Sequence, residues 1–521
     1  MAAARQSSDA VLDVNAGRID EHPVAGGDAP FRLLLLGDFS GRASRGVVES
    51  GAALASRRTI RVDRDDIDDV LARLSPHIVL DDAGRVALRF ANMDDFHPDA
   101  IYDQLPQFQA AREELAGAAG LPPSPGAARL PPSPGAAGLP PSPGAAVLPP
   151  SPAAARQRTG SVLEDILGEP LDDPAEERGT GGAGAAEDEF RSLVRNLVAP
   201  HLIPNADARE AGRLARADAA LSAAMRAVLH HPRFQSLEAL WRAVWMLVRR
   251  VETDEQLQIH LLDVSREELV ADLRAAPERA EDSAVCRLIM ESCDATSGSA
   301  PWALIAGDYR FDSSDPDVEL LARLAEVARR AGVSFIADAS APLSGLPDFA
   351  VLPDAHDWPS ETSPRWDALR RTAAARWAGL VAPRLLLREP YGAATDACER
   401  FRFEELDGAP AHAELLWGSG AFACAMLLAE SFAEAGWSLR PGMRRDIGGL
   451  PLVLIGAGTE RDAVPCAELL LTERAAQHMM DRGIMPLASL RNQDVVHLVR
   501  FHSIAEPVAA LGGRWTGSPA T

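Results

Sequence analysis

Short apolar runs separated by polar turns in the first hundred residues predict a small α/β module. Residues 31–36 form an apolar run, broken only by Arg32, that fits a buried strand, and residues 37–42 form a turn of glycine and short polar side chains. Residues 59–62 predict a second strand. The further predicted elements are a helix with apolar Ile67, Val70, Leu71 and Leu74, a hairpin over 77–90, and a helix that turns Ile101, Leu105 and Phe108 inward.

The second half of the chain follows an α/β pattern over a longer stretch. Apolar residues at helical spacing predict helices over 190–198, 214–228 and 234–248, and residues 257–264 predict a strand before a Ser265–Glu268 capping box. Strands at 302–306 and 333–337 flank a helix that Gly332 ends, so we predict a βαβ unit with parallel strands. The remaining predicted elements are strands near 384–388, 452–455, 468–471, 484–488 and 495–501, and helices over 412–435 and 472–483.

A proline-rich repeat lies between these two parts. Four copies of a nine-residue unit, LPPSPGAA plus one variable residue, begin at Leu121, Leu130, Leu139 and Leu148. Proline fixes φ and removes a backbone donor, and the apolar side chains are too sparse for a packed face, so we predict a disordered, extended tether. Beyond the repeat, the apolar positions Val162, Leu163, Ile166 and Leu167 predict a short amphipathic helix.

The predicted fold class is therefore α/β (α+β) in two modules, with a disordered linker and a mixed sheet in the larger module. The predicted boundaries are a disordered N-terminus at 1–17, a small module at 18–120, the linker at 121–188 with its helix at 161–167, a large module at 189–505 and a tail at 506–521.

Charge and composition narrow the classes of function. The sequence contains no lysine, which excludes a P-loop lysine, a Schiff-base lysine and a lysine general base. The formal net charge of −23 argues against a nucleic-acid binder, which would need a basic face. The N-terminus lacks the apolar segment of a signal peptide and no apolar run is long enough to span a bilayer. We expect a cytoplasmic protein with no membrane insertion. The five cysteines include no CxxC pair, which argues against a zinc ribbon.

Catalytic motifs are weak throughout the chain. The Gly418-Ser419-Gly420 sequence does not satisfy G-x-S-x-G, and no dinucleotide-binding or zinc-protease motif occurs. Asp38 and Asp308 follow predicted strands and are interpreted as turn formers, because aspartate there commonly bonds its own backbone. We predict no catalytic residue, no cofactor and no metal. An α/β enzyme that uses Asp38 or Asp308 stays open as a minor alternative.

The first module resembles the small sheath subunit of bacterial type VI secretion systems, the TssB (VipA/ImpB) family. The resemblance covers residues 18–115 through LLLLGDFSGR, IRVDRDDIDDVLARLSPHIVL and ALRFANMDDFHPDAIYDQLPQF. Residues 190–503 resemble the large sheath subunit, the TssC (VipB/ImpC) family. The ordered blocks there include VLHHPRFQSLEALWRAVWMLV, LLDVSREEL, PWALIAGDYRF, RWAGLVAPRLLLREPYG and LLWGSGAFACAMLLAESFAEAGW. The chain therefore looks like a fusion of both subunits.

The two resemblances imply a structural protein of a contractile injection machine. Sheath subunits of these families polymerise around a tube of Hcp, and contraction drives that tube outward. The implied partners are other sheath protomers, Hcp, the AAA+ ATPase ClpV and baseplate components. The large subunit family carries a short helix that ClpV recognises, and we place it at Val162, Leu163, Ile166 and Leu167. A chance apolar cluster, or a helix that packs on its own domain, stays open as the alternative.

Filament formation needs contacts that do not close into a ring, and strand addition between protomers would supply them. As candidate edge strands we predict the two segments that carry Phe31, Leu33 and Leu35, and Val495, His497, Val499 and Phe501. Large subunits usually continue well past the segment that ends here in FHSIAEPVAALGGRW. That departure keeps an alternative open: a sheath-derived accessory, such as a cap, baseplate adaptor or regulator, that does not polymerise.

Overall fold

The computed structural model describes residues 29–80, 86–106, 108, 206–276, 282–291, 300–350, 358, 362–455 and 462–515, with the backbone alone at 206–215, 217 and 291. The chain forms two compact units. The first takes Met1–Pro76, Ser236–Arg388 and Leu416–Thr521, and the second takes His77–Gln235 and Glu389–Leu415. The repeat linker and the helix predicted at 161–167 lie outside the described residues. The domain boundaries drawn from the sequence stay predictions.

The described strands, in chain order, are β1 (Phe31–Gly37), β2 (Ile60–Val62), β3 (His77–Val79), β4 (Ala87–Arg89), β5 (Leu257–Asp263), β6 (Leu304–Phe311), β7 (Ser334–Ala339), β8 (Ala378–Ala382), β9 (Leu385–Leu386), β10 (Trp417–Gly418), β11 (Asp446–Ile447), β12 (Leu454–Ile455), β13 (Asp462–Ala463), β14 (Ile484–Ser489) and β15 (Val496–Leu498). The described helices are α1 (Ala52–Ala55), α2 (Ile67–Leu74), α3 (Pro98–Gln104), α4 (Ala206–Leu229), α5 (Pro232–Arg250), α6 (Arg266–Ala275), α7 (Ala284–Glu291), α8 (Asp315–Ala331), α9 (Ala341–Ser344), α10 (Pro364–Arg370), α11 (Gly420–Ala435) and α12 (Glu473–Asp481).

A nine-stranded sheet in the order β11-β15-β14-β8-β7-β6-β1-β5-β2 forms the centre of the first unit. The six strands from β14 to β5 run parallel to their neighbours, whereas β2, β15 and β11 pair antiparallel. The α/β class with a mixed sheet is therefore confirmed. The small and large modules predicted from the sequence both contribute strands to this one sheet.

Strand β1 is buried on both faces, as its run of four leucines predicts for a strand of a parallel sheet. Leu34 and Leu36 belong to the core that also contains Leu269 of α6 and Leu321 of α8. On the opposite face the ring of Phe31 stacks on Phe432 of α11, with 4.7 Å between ring centroids. Helices therefore cover the sheet on both sides of β1.

The predicted βαβ unit is confirmed, but its first strand is longer than predicted. β6 and β7 are parallel, and α8 between them ends at Gly332, whose φ of +64° places it in the left-handed region that glycine adopts readily. β6 continues to Phe311 through a register shift between Ala306 and Arg310. Asp308 therefore lies inside an irregular strand, and the prediction that it forms a turn after a strand is wrong.

Other departures follow from local ambiguity in the sequence. Strand β8 was missed, because apolar residues flank Pro383 on both sides and we assigned the strand after the proline instead of before it. Only Leu385–Leu386 of that assignment is a strand, in a separate pair with β10. The strand predicted at 468–471 is wrong. Trp245, predicted to face inward from α5, is 36% exposed beneath the guanidinium of Arg249.

The second unit contains the β3–β4 antiparallel hairpin, α3, α4 and the segment 389–415. Ile101, Leu105 and Phe108 are buried, as predicted from their helical spacing. The ring of Phe90 stacks on Phe96 at 4.3 Å between centroids. The carboxylate of Asp99 accepts hydrogen bonds from the backbone N–H groups of Glu399 and Arg400. In this unit, too, residues of the first module bond directly to residues of the second.

Candidate functional site

Strand β5 has neighbours on both sides, and both come from the beginning of the chain. Residues 31–37 of β1 pair with 257–263 in parallel, and β2 pairs with residues 259–261 of β5 in antiparallel fashion. The other side of β1 pairs with β6. We call residues 29–108 the N-terminal part and residues 206–515 the C-terminal part. Without the N-terminal part, β5 would lose all of its sheet hydrogen bonds.

The turn after β1 is fixed by its own backbone and by the C-terminal part. The carboxylate of Asp38 accepts hydrogen bonds from the backbone N–H groups of Arg42 at 2.7 Å and Ala43 at 2.9 Å, which confirms its turn-forming role. The indole N–H of buried Trp241 donates to the carbonyl of Phe39 at 3.0 Å. Gly37, the last residue of β1, packs closely enough that a Cβ there would meet Leu240 Cδ1 at 2.9 Å, so a larger residue would require that side chain to shift.

Two arginines of the N-terminal part meet two carboxylates of the C-terminal part beside this turn. Arg57 Nη1 donates to Glu268 Oε2 at 2.7 Å, and Arg42 Nη2 lies 3.2 Å from Asp263 Oδ2. The side chain of Glu268 is fully buried, and that of Asp263 is 8% exposed. We call Arg42, Arg57, Asp263 and Glu268 the charged joint.

Backbone hydrogen bonds hold the carboxylates of the charged joint in place. Asp263 Oδ1 accepts from the N–H of Ser40 at 3.1 Å. Glu268 accepts from the N–H of Ser265 at 3.0 Å, which closes the predicted capping box, and from the N–H of Glu49 at 3.1 Å. Glu268 therefore starts α6 and binds two places in the N-terminal part at once.

Burial and pairing act in opposite directions on the ionisation of the charged joint. Burial alone would raise the pKa of Glu268, but hydrogen bonds from Arg57 and from backbone N–H groups outweigh it and lower that pKa below its ordinary value. Burial likewise opposes the charge of Arg57, yet the carboxylates of Glu268 and Glu49 raise its pKa. Both groups are thus held in their charged forms across the joint.

A second pair of carboxylates, Asp308 and Asp338, lies on the adjacent strands β6 and β7 of the same sheet. Asp338 of β7 is buried, and its Oδ1 accepts a hydrogen bond from the N–H of Ala421 at 3.0 Å, at the start of α11. Burial, with the nearby charge of Asp308, raises the pKa of Asp338 to about 7. Burial also raises the pKa of half-buried Asp308 to about 6. Ser419 caps α11 by accepting from the same Ala421 N–H at 3.1 Å.

Replacing Asp338 with asparagine is expected to remove a pH dependence of stability. A carboxyl whose folded pKa is raised stabilises the fold below its unfolded value, and this contribution is lost as the pH rises through about 7. The wild-type free energy of unfolding should fall by up to about 4 kcal/mol between roughly pH 4 and 8. Asparagine keeps an oxygen for the Ala421 N–H, so urea unfolding of D338N should show a flatter pH profile. The exposed Asp65→Asn control should keep the wild-type slope.

The described chemistry is that of a structural joint. Each carboxylate of the charged joint is engaged by an arginine or a backbone N–H, which suits attachment rather than proton transfer. Within the ranges that the structure describes, no group of three or more His, Cys, Asp or Glu side chains is placed to hold a metal ion. Among the helices described above, none is long and apolar enough to cross a membrane.

The site residues predicted from the sequence are a ClpV-docking helix and two edge strands. The candidate ClpV-docking positions Val162, Leu163, Ile166 and Leu167 lie outside the described residues. The prediction that β1 is an edge strand is wrong, because Phe31, Leu33 and Leu35 are buried between β5 and β6. The edge placement of 495–501 is also wrong. Its strand β15 pairs with β14 on one side through His497 and with β11 on the other.

The charged joint itself was missed. Glu268 was recognised only as a capping residue, and Arg42 only as part of a turn. The available signal was Asp263, a charged residue that directly ends an apolar strand, followed closely by a second carboxylate. Sequence spacing could not pair these acids with arginines near the other end of the chain.

Comparison with known families identifies the class of protein that this sheet and joint belong to. The VipB family model, described as EvpB/VC_A0108, tail sheath N-terminal domain, matches residues 212–505, more than half of the chain. The VipA model, described as type VI secretion system, VipA, VC_A0107 or Hcp2, matches residues 24–117. The chain therefore belongs to the type VI secretion tail sheath family and carries small-subunit and large-subunit sequences together. Both resemblances seen in the sequence are confirmed.

A curated relative agrees with this assignment. The type VI secretion system sheath protein TssC1 of Pseudomonas aeruginosa is 32% identical over 335 residues. The match spans 62% of this chain and 67% of that protein.

Proposed function

We propose that this chain is a structural subunit of a contractile type VI secretion sheath, which polymerises around an Hcp tube and contracts to drive it outward. The observation that carries the proposal is the shared sheet. One chain supplies the small-subunit strands β1 and β2 and the large-subunit strands around them. One chain therefore joins sequences of two sheath families in one sheet.

In the proposed mechanism the subunit makes and breaks no covalent bonds. A sheath stores conformational free energy when it assembles in an extended state, and its subunits must survive sliding past one another without coming apart. The central position of β1 and the buried contacts of the charged joint support such a role, because they attach the two parts inside one rigid sheet. We propose that the sheath assembles and contracts in the cytoplasm, with baseplate components as further partners.

Electron microscopy of the purified full chain mixed with Hcp tests the proposal. Helical tubes that enclose Hcp are the expected result, because non-closing contacts between identical subunits generate filaments. Particles that remain monomeric over a wide concentration range would contradict the sheath function. Short assemblies of fixed size bound at one end of an Hcp tube would instead support the accessory alternative.

The same tubes test the proposed contact with ClpV. Val162, Leu163, Ile166 and Leu167 are proposed to contact the ATPase through their apolar side chains. A variant with aspartate at Leu163 and Ile166 should form tubes like the parent chain but resist disassembly by ClpV and ATP. Equal disassembly of both tubes would reject this contact without affecting the sheath proposal.

A further inference from the structure

Every interaction that holds the N-terminal part against the C-terminal part within each unit is non-covalent. In the first unit these interactions are the β1 and β2 pairings and the charged joint. In the second unit they include the bonds from Asp99 to Glu399 and Arg400. The covalent connection runs separately through residues 109–205 of the sequence. A second copy of the chain could offer the same N-terminal part with the same contacts.

Sheet pairing alone selects poorly among N-terminal parts. Backbone hydrogen bonds are the same for any sequence, and the apolar side chains of β1 fit through general hydrophobicity and size. Charges are more selective, because a like-charge contact in a desolvated site costs several kcal/mol. The side chains of the charged joint are 0% to 21% exposed, so solvent screens them weakly.

We propose that the charged joint decides which N-terminal part enters the sheet, and that it accepts the N-terminal part of a second copy of this chain on the same terms as its own. The partner is thus a second copy, and the product is a reciprocally exchanged dimer with two complete sheets. Exchange preserves every contact of the single chain. The equilibrium between the monomer and the exchanged dimer therefore depends on protein concentration and on the connecting segment. This inference does not depend on the sheath function.

Charge reversal at Arg42 and Asp263 tests the proposal in the full chain. Arg42→Asp places a third acid beside Asp263 and Glu268, and Asp263→Arg places a third cation beside Arg42 and Arg57. Each single variant should lose most of its soluble, protease-resistant protein. The double variant R42D/D263R should recover part of it, because the attraction between positions 42 and 263 is restored with reversed sign while the unchanged Glu268 and Arg57 keep the recovery below wild type.

Co-expression of the two single variants, each with its own tag, tests exchange. Aspartate at 42 in one chain then faces arginine at 263 in the other, and the second pairing has wild-type charges. We expect a soluble heterodimer of twice the chain mass by light scattering, purified through both tags in succession. A double variant no more soluble than the singles would overturn the joint as the pairing determinant. Absence of the heterodimer would overturn exchange between copies.

Arg45 supplies a matched control. It lies in the same turn, is exposed, and donates to the carbonyls of Gly41 and Ser40 rather than to the charged joint. Combining Arg45→Asp with Asp263→Arg should therefore give no recovery in one chain. Recovery in this control would mean that net charge, and not the charged joint, governs pairing.

Discussion

Replacing Leu34 with aspartate is expected to unfold the first unit. Leu34 is fully buried in the middle of β1, which is itself the central link between β5 and β6. Even Leu34→Ala should lower the free energy of unfolding by about 2–5 kcal/mol, because it leaves a cavity. A buried, unpaired carboxylate costs several kcal/mol more, which together approaches the total stability of about 5–15 kcal/mol typical of a protein domain.

Urea unfolding followed by tryptophan fluorescence measures the alanine variant, and near-ultraviolet circular dichroism with limited proteolysis measures the aspartate variant. Leu490→Ala is a matched control, since that side chain is 41% exposed and should change stability by less than about 1 kcal/mol. A cooperative transition retained by L34D, at the wild-type urea midpoint, would mean that β1 does not occupy the centre of the sheet.

Local sequence determines most of the elements around this site but not the places they take. The apolar run at 31–36, broken only by Arg32, identifies a buried strand, and helical spacing identifies α2, α5 and α8. The neighbours of β1, however, are residues 257–263 and 304–307. Nothing in the local pattern of β1 specifies partners so far along the chain, so an edge and a central position could not be told apart.

The turn prediction for Asp308 was wrong for a different reason. Asp308 after the predicted strand indicated a turn, yet β6 continues to Phe311 through a shift of register. The hydroxyl of Tyr309, within the continued strand, donates to the carbonyl of Val264 at 2.8 Å. Tertiary pairing here outweighs the local preference of glycine and aspartate for turns.

The fold also changes the meaning of the repeat linker. The linker joins two sequence modules, but the structure places strands of both in one sheet. A covalent connection between such parts mainly raises their effective concentration and fixes a one-to-one ratio. The specificity of pairing must then come from the strands and the charged joint, and this is why the joint is the better target for mutation than the linker.

Replacing Glu268 with glutamine should destabilise the chain near neutral pH but not in acid. The folded pKa of Glu268 is lowered, so its charge stabilises the fold above the ordinary value of 4.5, and that contribution is lost as the pH falls through the folded pKa. Glutamine keeps the shape but leaves Arg57, whose side chain is 10% exposed, without its buried counter-charge. The cost should be about 3–5 kcal/mol near pH 7.

The difference in urea-unfolding free energy between wild type and Glu268→Gln should therefore shrink as the pH is lowered from near 7 through the folded pKa of Glu268, below which the wild-type carboxyl is also neutral. Glu319→Gln removes an exposed partner of Arg323 on α8, 57% accessible, and should cost less than about 0.5 kcal/mol throughout. A gap for Glu268→Gln that stays constant across this range would assign its effect to packing. In that case the charged joint would hold the two parts by shape alone, and charge would not decide which N-terminal part enters the sheet.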